Sequence, residues 1–155
     1  RLDRLRKEFN PVVHLPAKNR GAVSWGIDGR GRMLLRARGA SESIEYASPV
    51  VFRPSQLGQW VHMATTYDAK QGKVTHYLDG RPFSREALRG KIALSLDGGE
   101  LGNANPDGKA STGGVNLLGA IDEFVVSRKV LDAEDIHRLY EIGRPYSVPR
   151  LDRLH

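Results

Sequence analysis

The chain has 155 residues, 39% hydrophobic and 27% charged, which is the composition of one globular domain long enough to bury its own core. It holds no cysteine, which excludes disulfides and thiolate metal sites, and no apolar run approaches the roughly 20 residues of a membrane-spanning helix. The formal net charge is +6, and residues 1–38 carry most of the imbalance, with ten basic side chains against three acidic ones. Such a segment could attract nucleic acid or an acidic polysaccharide. Nucleic-acid binders interleave aromatics with their basic residues, and here only Phe9 and Trp25 do so. The arginines are therefore expected on the solvent face of strands, with neither nucleic acid nor direct membrane insertion among the partners. The opening Arg1-Leu2-Asp3-Arg4-Leu5-Arg6-Lys7 is too charged for a signal peptide, and no initiator Met precedes it, so the chain reads as a piece of a longer protein.

Short β-rich runs between turn signals fill most of the length. Pro11–Leu15 is the first, and Ala22–Ile27 and Met33–Arg38 flank the turn Asp28-Gly29-Arg30-Gly31 as a hairpin. Ser43–Ala47 follows, closed by Pro49 and Pro54. Trp60–Tyr67, Lys73–Leu78 and Arg81–Ser84, joined by Ala69–Gly72 and Asp79-Gly80, form a three-strand meander rich in β-branched and aromatic residues. Ile92–Leu96 and Gly99–Gly102 are expected as two short strands, and Val115–Val126 as a last long one after a polar, Gly-rich loop over 103–114. One helix is marked by Asp132 as N-cap, by the staple Leu131/Ile136, and by the stripe Ile136, Leu139, Tyr140, ending at Gly143 before Pro145. A single short helix after about nine strands predicts an all-β, two-sheet antiparallel sandwich rather than an α/β enzyme.

Several of these residues together resemble a known family. Trp60-Val61-His62-Met63-Ala64-Thr65-Thr66-Tyr67-Asp68 is similar to the signature strand of the laminin-G-like (concanavalin A-like) jellyroll. Tyr77-Leu78-Asp79-Gly80, Leu101-Gly102-Asn103 and Gly119-Ala120-Ile121-Asp122-Glu123-Phe124 match its later motifs in order. The resemblance implies a jellyroll domain over residues 1–147, with 148–155 a tail or linker. Residues 8–40 look like a subtype found in bacterial envelope proteins, some of them FecR-associated, which implies an extracellular or cell-envelope location. The family opens with one or two strands that pair near the closing strand. These are expected to be missing here, leaving an unpaired edge that another segment would have to cover.

Candidate site residues follow. Trp25 stands between Ser24 and Gly26 on an alternating strand and is open to a ligand. Trp60 and Tyr67 are either a sugar-stacking platform or, as expected, core anchors of the meander. Counting back from the 69–72 turn pairs Tyr67 with Val74 and Thr65 with His76, which puts His62 and His76 on opposite faces, unable to share a metal. Asn103-x-Asn105-x-Asp107-Gly108 imitates half of a calcium loop, but Gly114 stands where the bidentate Glu belongs, and Asx-turns explain the run as well. The resemblance implies that Asp122 could hold a structural calcium, the alternative being a loop cap or an arginine partner.

Catalysis finds little support. Glu42 and Glu45 fall on opposite faces of a strand, Asp122 and Glu123 diverge, and neither a Gly-x-Ser-x-Gly elbow nor a phosphate loop is present. The expectation is a non-catalytic binding or adhesion module for a glycan or protein partner, with Trp25, Asn103, Asn105 and Asp107 at its rim and other domains of the parent chain as neighbours. The alternatives are a spacer or assembly domain without a ligand, or a glycan-active enzyme of the same fold.

Overall fold

Turn chemistry decides where each strand of this chain stops. In the computed structural model, which describes residues 1–15, 21–104 and 115–144, β1 (Phe9–His14), β2 (Val23–Asp28), β3 (Arg32–Arg38) and β4 (Ser43–Val50) form an antiparallel layer. Asp28 ends β2, and its Oδ1 accepts the N–H groups of Arg30 and Arg32 at 2.9 and 3.0 Å, while Gly31 takes the left-handed φ of 81° that closes the hairpin. The carboxylate also pairs with the Arg32 guanidinium at 2.6 Å.

The meander is present with the expected register. β5 (Met63–Asp68), β6 (Lys73–Leu78) and β7 (Arg81–Ala87) form a three-stranded sheet in which Tyr67 faces Val74 and Thr65 faces His76. Asp68 ends β5 as Asp28 ends β2, its Oδ1 accepting from Lys70 and Gln71. Pro82 is tolerated because β7 is an edge strand and the ladder shifts register there.

β8 (Glu100–Leu101) completes the larger sheet in the order β4-β3-β2-β1-β8, and β9 (Asn103–Ala104) pairs with β10 (Val115–Asn116). The two main sheets stack as a sandwich around two apolar clusters. One centres on Leu15, Leu35, Ala37, Tyr46 and Val74, the other on Leu2, Ile27, Met33, Val51 and Phe52. Full burial of each such side chain contributes about 1.5–3 kcal/mol. α1 (Ala133–Gly143) starts where expected, with Asp132 Oδ1 accepting from the Asp135 N–H at 2.8 Å. It packs on the turn at Asp79-Gly80, where a Cβ on Gly80 would come within 2.8 Å of Tyr140.

The structure corrects two expectations. Ile92–Leu96 is not a strand: Ile92 is buried in the first cluster, and the run's one backbone bridge to the larger sheet, among the described residues, is from Ser95 to Ala22. The closing run is a ladder only at Val115–Asn116, and Glu123 interrupts the extended path with a φ of 52°. The first residues of the chain contact the closing segment without forming a strand. Leu2 bridges to Gly119, Asp3 N–H donates to the Leu118 carbonyl at 2.8 Å, and Arg1 and Ala120 exchange backbone hydrogen bonds. Leu2 is buried there in the second cluster. In the smaller sheet β5 and β7 are both edge strands, each hydrogen-bonded only to β6 among the described residues.

Candidate functional site

The free edge of β5 opens onto a cleft between the sheets, about 1550 Å³ in volume, whose far wall is the run from Ala120 to Leu131. Val12, Val13 and Val23 lie at its base, where they are buried in the first cluster with Val74 of β6 and have Met63 and Tyr67 of β5 packed against it. Trp25 belongs to the same base. Its indole N–H donates to Thr65 Oγ1 at 2.8 Å, and Thr65 lies 2.9 Å from His76 Nδ1. An indole nitrogen can only donate, so Thr65 Oγ1 accepts from Trp25 and links it to the His76 Nδ1. Nε2 makes no well-formed hydrogen bond. Burial pushes the His76 pKa down to about 4, a backbone group of Tyr46 offsetting part of that effect.

Trp60 stands at the mouth, half exposed, with the Arg1 guanidinium 5.6 Å from its ring centroid. It is not the core anchor expected from the sequence. Tyr67 is: its hydroxyl donates to the Gly90 carbonyl and accepts from the Ile92 N–H, and its ring meets Tyr46 edge-on at 6.4 Å. Trp60 lies three residues before β5 begins, outside the ladder that holds Tyr67 in place.

His62 faces Tyr140 of α1 at 5.6 Å between ring centroids, and its backbone exchanges hydrogen bonds with Asp79. Burial lowers its pKa, with the Asp79 charge acting in the opposite direction. Asp122 also lines the cleft, so the structure brings together two of the residues singled out in the sequence, Trp25 and Asp122. Asn103 lies elsewhere, on β9 opposite Asn116, with its Oδ1 buried and unpartnered among the described residues. Asn105 and Asp107 lie outside the described residues.

Asp122, the residue that the resemblance offers to calcium, bonds within its own loop. Its Oδ1 accepts the N–H of Glu123 at 3.0 Å, and among the described residues no group of three or more His, Asp or Glu side chains is arranged to hold a metal ion. Calcium takes about six to eight oxygen ligands. No helix among the described residues is long and apolar enough to cross a membrane.

Comparison with known proteins bears on the fold. A family model described as the concanavalin A-like lectin/glucanases superfamily matches residues 2–137. Among solved structures, the chain is similar to a native heptameric SAP-like pentraxin from Limulus polyphemus, with 16% identity and a TM-score of 0.58 over 92% of this chain and 66% of that one. It is also similar to an S-layer domain-containing protein (residues 221–444) from Clostridium thermocellum, with 19% identity and a TM-score of 0.43 over 90% of this chain and 65% of that one. The chain thus spans just under two thirds of the length of each. No curated protein matches it in sequence.

Proposed function

The chain belongs to the concanavalin A-like lectin/glucanase superfamily, and from that premise we propose that it is a non-catalytic binding or adhesion module that recognises a glycan or a protein partner. The cleft beside β5 carries this reading. At about 1550 Å³ it exceeds the range of about 300–1,000 Å³ usual for small-molecule sites, so it suits a stretch of polymer. Its floor is apolar, Trp25 is held rigidly by the hydrogen-bond chain through Thr65, and Trp60 offers a half-exposed indole at the entrance. Indole faces of this kind anchor ligands at little entropic cost, since the ring has only two torsions to fix.

We place the module in an extracellular or envelope setting, on the likeness of residues 8–40 to the FecR-associated envelope subtype. The dipeptide Asp122-Glu123 is read as a structural corner rather than as catalytic carboxylates. Asp122 bonds the backbone of Glu123, and the Glu123 carboxylate lies against Gly143 at the end of α1.

The test is a glycan array read with and without calcium, run in parallel with the Trp60→Ala variant. Trp60 is half exposed, so its removal leaves the core intact. Glycan binding that drops about tenfold or more in that variant supports the reading, a loss equivalent to about 1.4 kcal/mol. If no glycan and no peptide binds above background, the domain is a spacer within its parent chain and the proposal falls.

A further inference from the structure

The sequence holds four Asp-Gly pairs, at residues 28–29, 79–80, 97–98 and 107–108. In such a pair the glycine amide nitrogen can attack the aspartate side-chain carboxyl, because no Cβ on the following residue screens the approach. The last pair lies outside the described residues, and the fold treats the other three differently. Both oxygens of the Asp28 carboxylate are engaged, by the N–H groups of Arg30 and Arg32 and by the Arg32 guanidinium. The Gly29 N–H donates to the Glu8 carbonyl at 2.9 Å, and a Cβ on Gly29 would collide with the Lys7 carbonyl. Asp79 accepts the His62 N–H at 3.0 Å, and Gly80 is buried beneath Tyr140 and His137 of α1.

Asp97-Gly98 has none of these restraints. It is the exposed centre of a reverse turn, closed by the Gly99 N–H donating to the Leu96 carbonyl at 3.3 Å, with Gly98 at a left-handed φ of 72°. Among the described residues, neither the Asp97 carboxylate nor the Gly98 N–H has a hydrogen-bond partner. Nothing lies within 4 Å of the place a Cβ on Gly98 would take, so the turn has room to bring nitrogen and carboxyl together. Two reacting groups already joined by the chain need only that freedom to meet.

We propose that Asp97-Gly98 is a site of spontaneous backbone modification, at which the folded chain converts to isoaspartate through a cyclic succinimide and thereby loosens β8. The Gly98 nitrogen bonds to the Asp97 Cγ, the Cγ–OH bond breaks, and the amide proton leaves with that hydroxyl as water. Water then adds to one of the two ring carbonyls. Breaking the bond from nitrogen to Cγ restores aspartate. Breaking the bond from nitrogen to the α-carbonyl carbon leaves the chain running through Cβ and Cγ, one methylene longer, with a free α-carboxylate. The net composition is unchanged, so no co-reactant is required, and the chemistry is independent of what the domain binds. The lengthened link falls between the bridge from Ser95 to Ala22 and β8, the outermost strand of the larger sheet. β8 has two residues and, among the described residues, pairs only with β1. A strand so short has little to hold it once its approach changes length.

The experiment ages the purified 155-residue chain at neutral pH and body temperature, digests it at intervals, and sequences the Asp-Gly peptides by electron-transfer fragmentation, which separates isoaspartate from aspartate. A carboxyl methyltransferase specific for isoaspartate, supplied with labelled S-adenosylmethionine, counts the product independently. Isoaspartate should accumulate at residue 97 about tenfold faster or more than at 28 or 79, which corresponds to a barrier lower by about 1.4 kcal/mol. The same chain held unfolded in urea should lose that preference. The Asp97→Glu variant keeps the charge but closes the ring far less readily, and should stay unmodified there. Chain enriched in the product should exchange faster than fresh chain at Glu100 to Gly102, while β6 stays protected. Equal rates at 28, 79 and 97 in the folded chain would overturn the proposal, as would isoaspartate that forms at 97 only after unfolding. A preference that persists in urea would also overturn it, by tracing the reaction to local sequence rather than to the fold. So would unchanged exchange at Glu100 to Gly102 in the rearranged chain.

Discussion

His76 is the residue at which burial and chemistry are most tightly joined. It is fully buried, bonded through Nδ1 to Thr65, and held neutral with a pKa near 4. An unfolded chain would bind a proton at about pH 6.5, whereas the folded one resists until about pH 4. The folded state therefore keeps this contribution above pH 6.5 and loses it as pH falls through that window, by about 3 kcal/mol in all. Urea melts at pH 7 and pH 4.5 should show the loss, and His76→Gln should show a smaller one. Equal losses in both proteins would remove His76 from the account. The Tyr67 hydroxyl makes a second test, since it serves both the Gly90 carbonyl and the Ile92 N–H. Tyr67→Phe leaves a half-buried donor and acceptor unmatched and should destabilise the chain by about 1–3 kcal/mol in the same melts.

At the scale of elements, the turns carried the legible information and the long-range pairings did not. Asp28, Asp68 and Asp79-Gly80 all end strands where the sequence says they do, because short polar side chains and glycine act within four residues. Asp79 and Gly80 both take left-handed φ values, 47° and 74°, as the tight hairpin requires. A methyl group at Gly80 would meet that strain and also collide with Tyr140 and His137 of α1. Gly80→Ala should therefore cost about 1–2 kcal/mol or more and weaken the protection of helix amides in hydrogen exchange. The stretch Val115–Val126 departs from the expected strand for the opposite reason. Its composition suits a strand, but a ladder needs a neighbouring edge at bonding distance, and here Leu118 to Ala120 are taken by the first residues of the chain. Beyond them Glu123 turns the backbone into the left-handed region, which nothing in the local sequence announces.

At the scale of the whole molecule, the fold was readable and the site only in part. Alternation and turn spacing led to two antiparallel layers, and motif order led to the family whose model matches residues 2–137. Trp25 and Asp122 were singled out separately, and the structure sets both around one cleft. Nothing local joins them, since the cleft exists only because β5 and the 120–131 run stand apart. The rim assigned to Asn103 sits away from that cleft, on the small β9–β10 pair.

The account rests on that opening between the layers. Backbone hydrogen exchange on the ligand-free chain measures it directly: amides of β2, β3 and β6 should exchange slowly, while Phe124 to Ser127 and alternate positions along β5 should exchange as freely as loops. Protection across Ile121–Val126 equal to that of β6 would mean that the gap is bridged in solution, and the binding cleft would not exist.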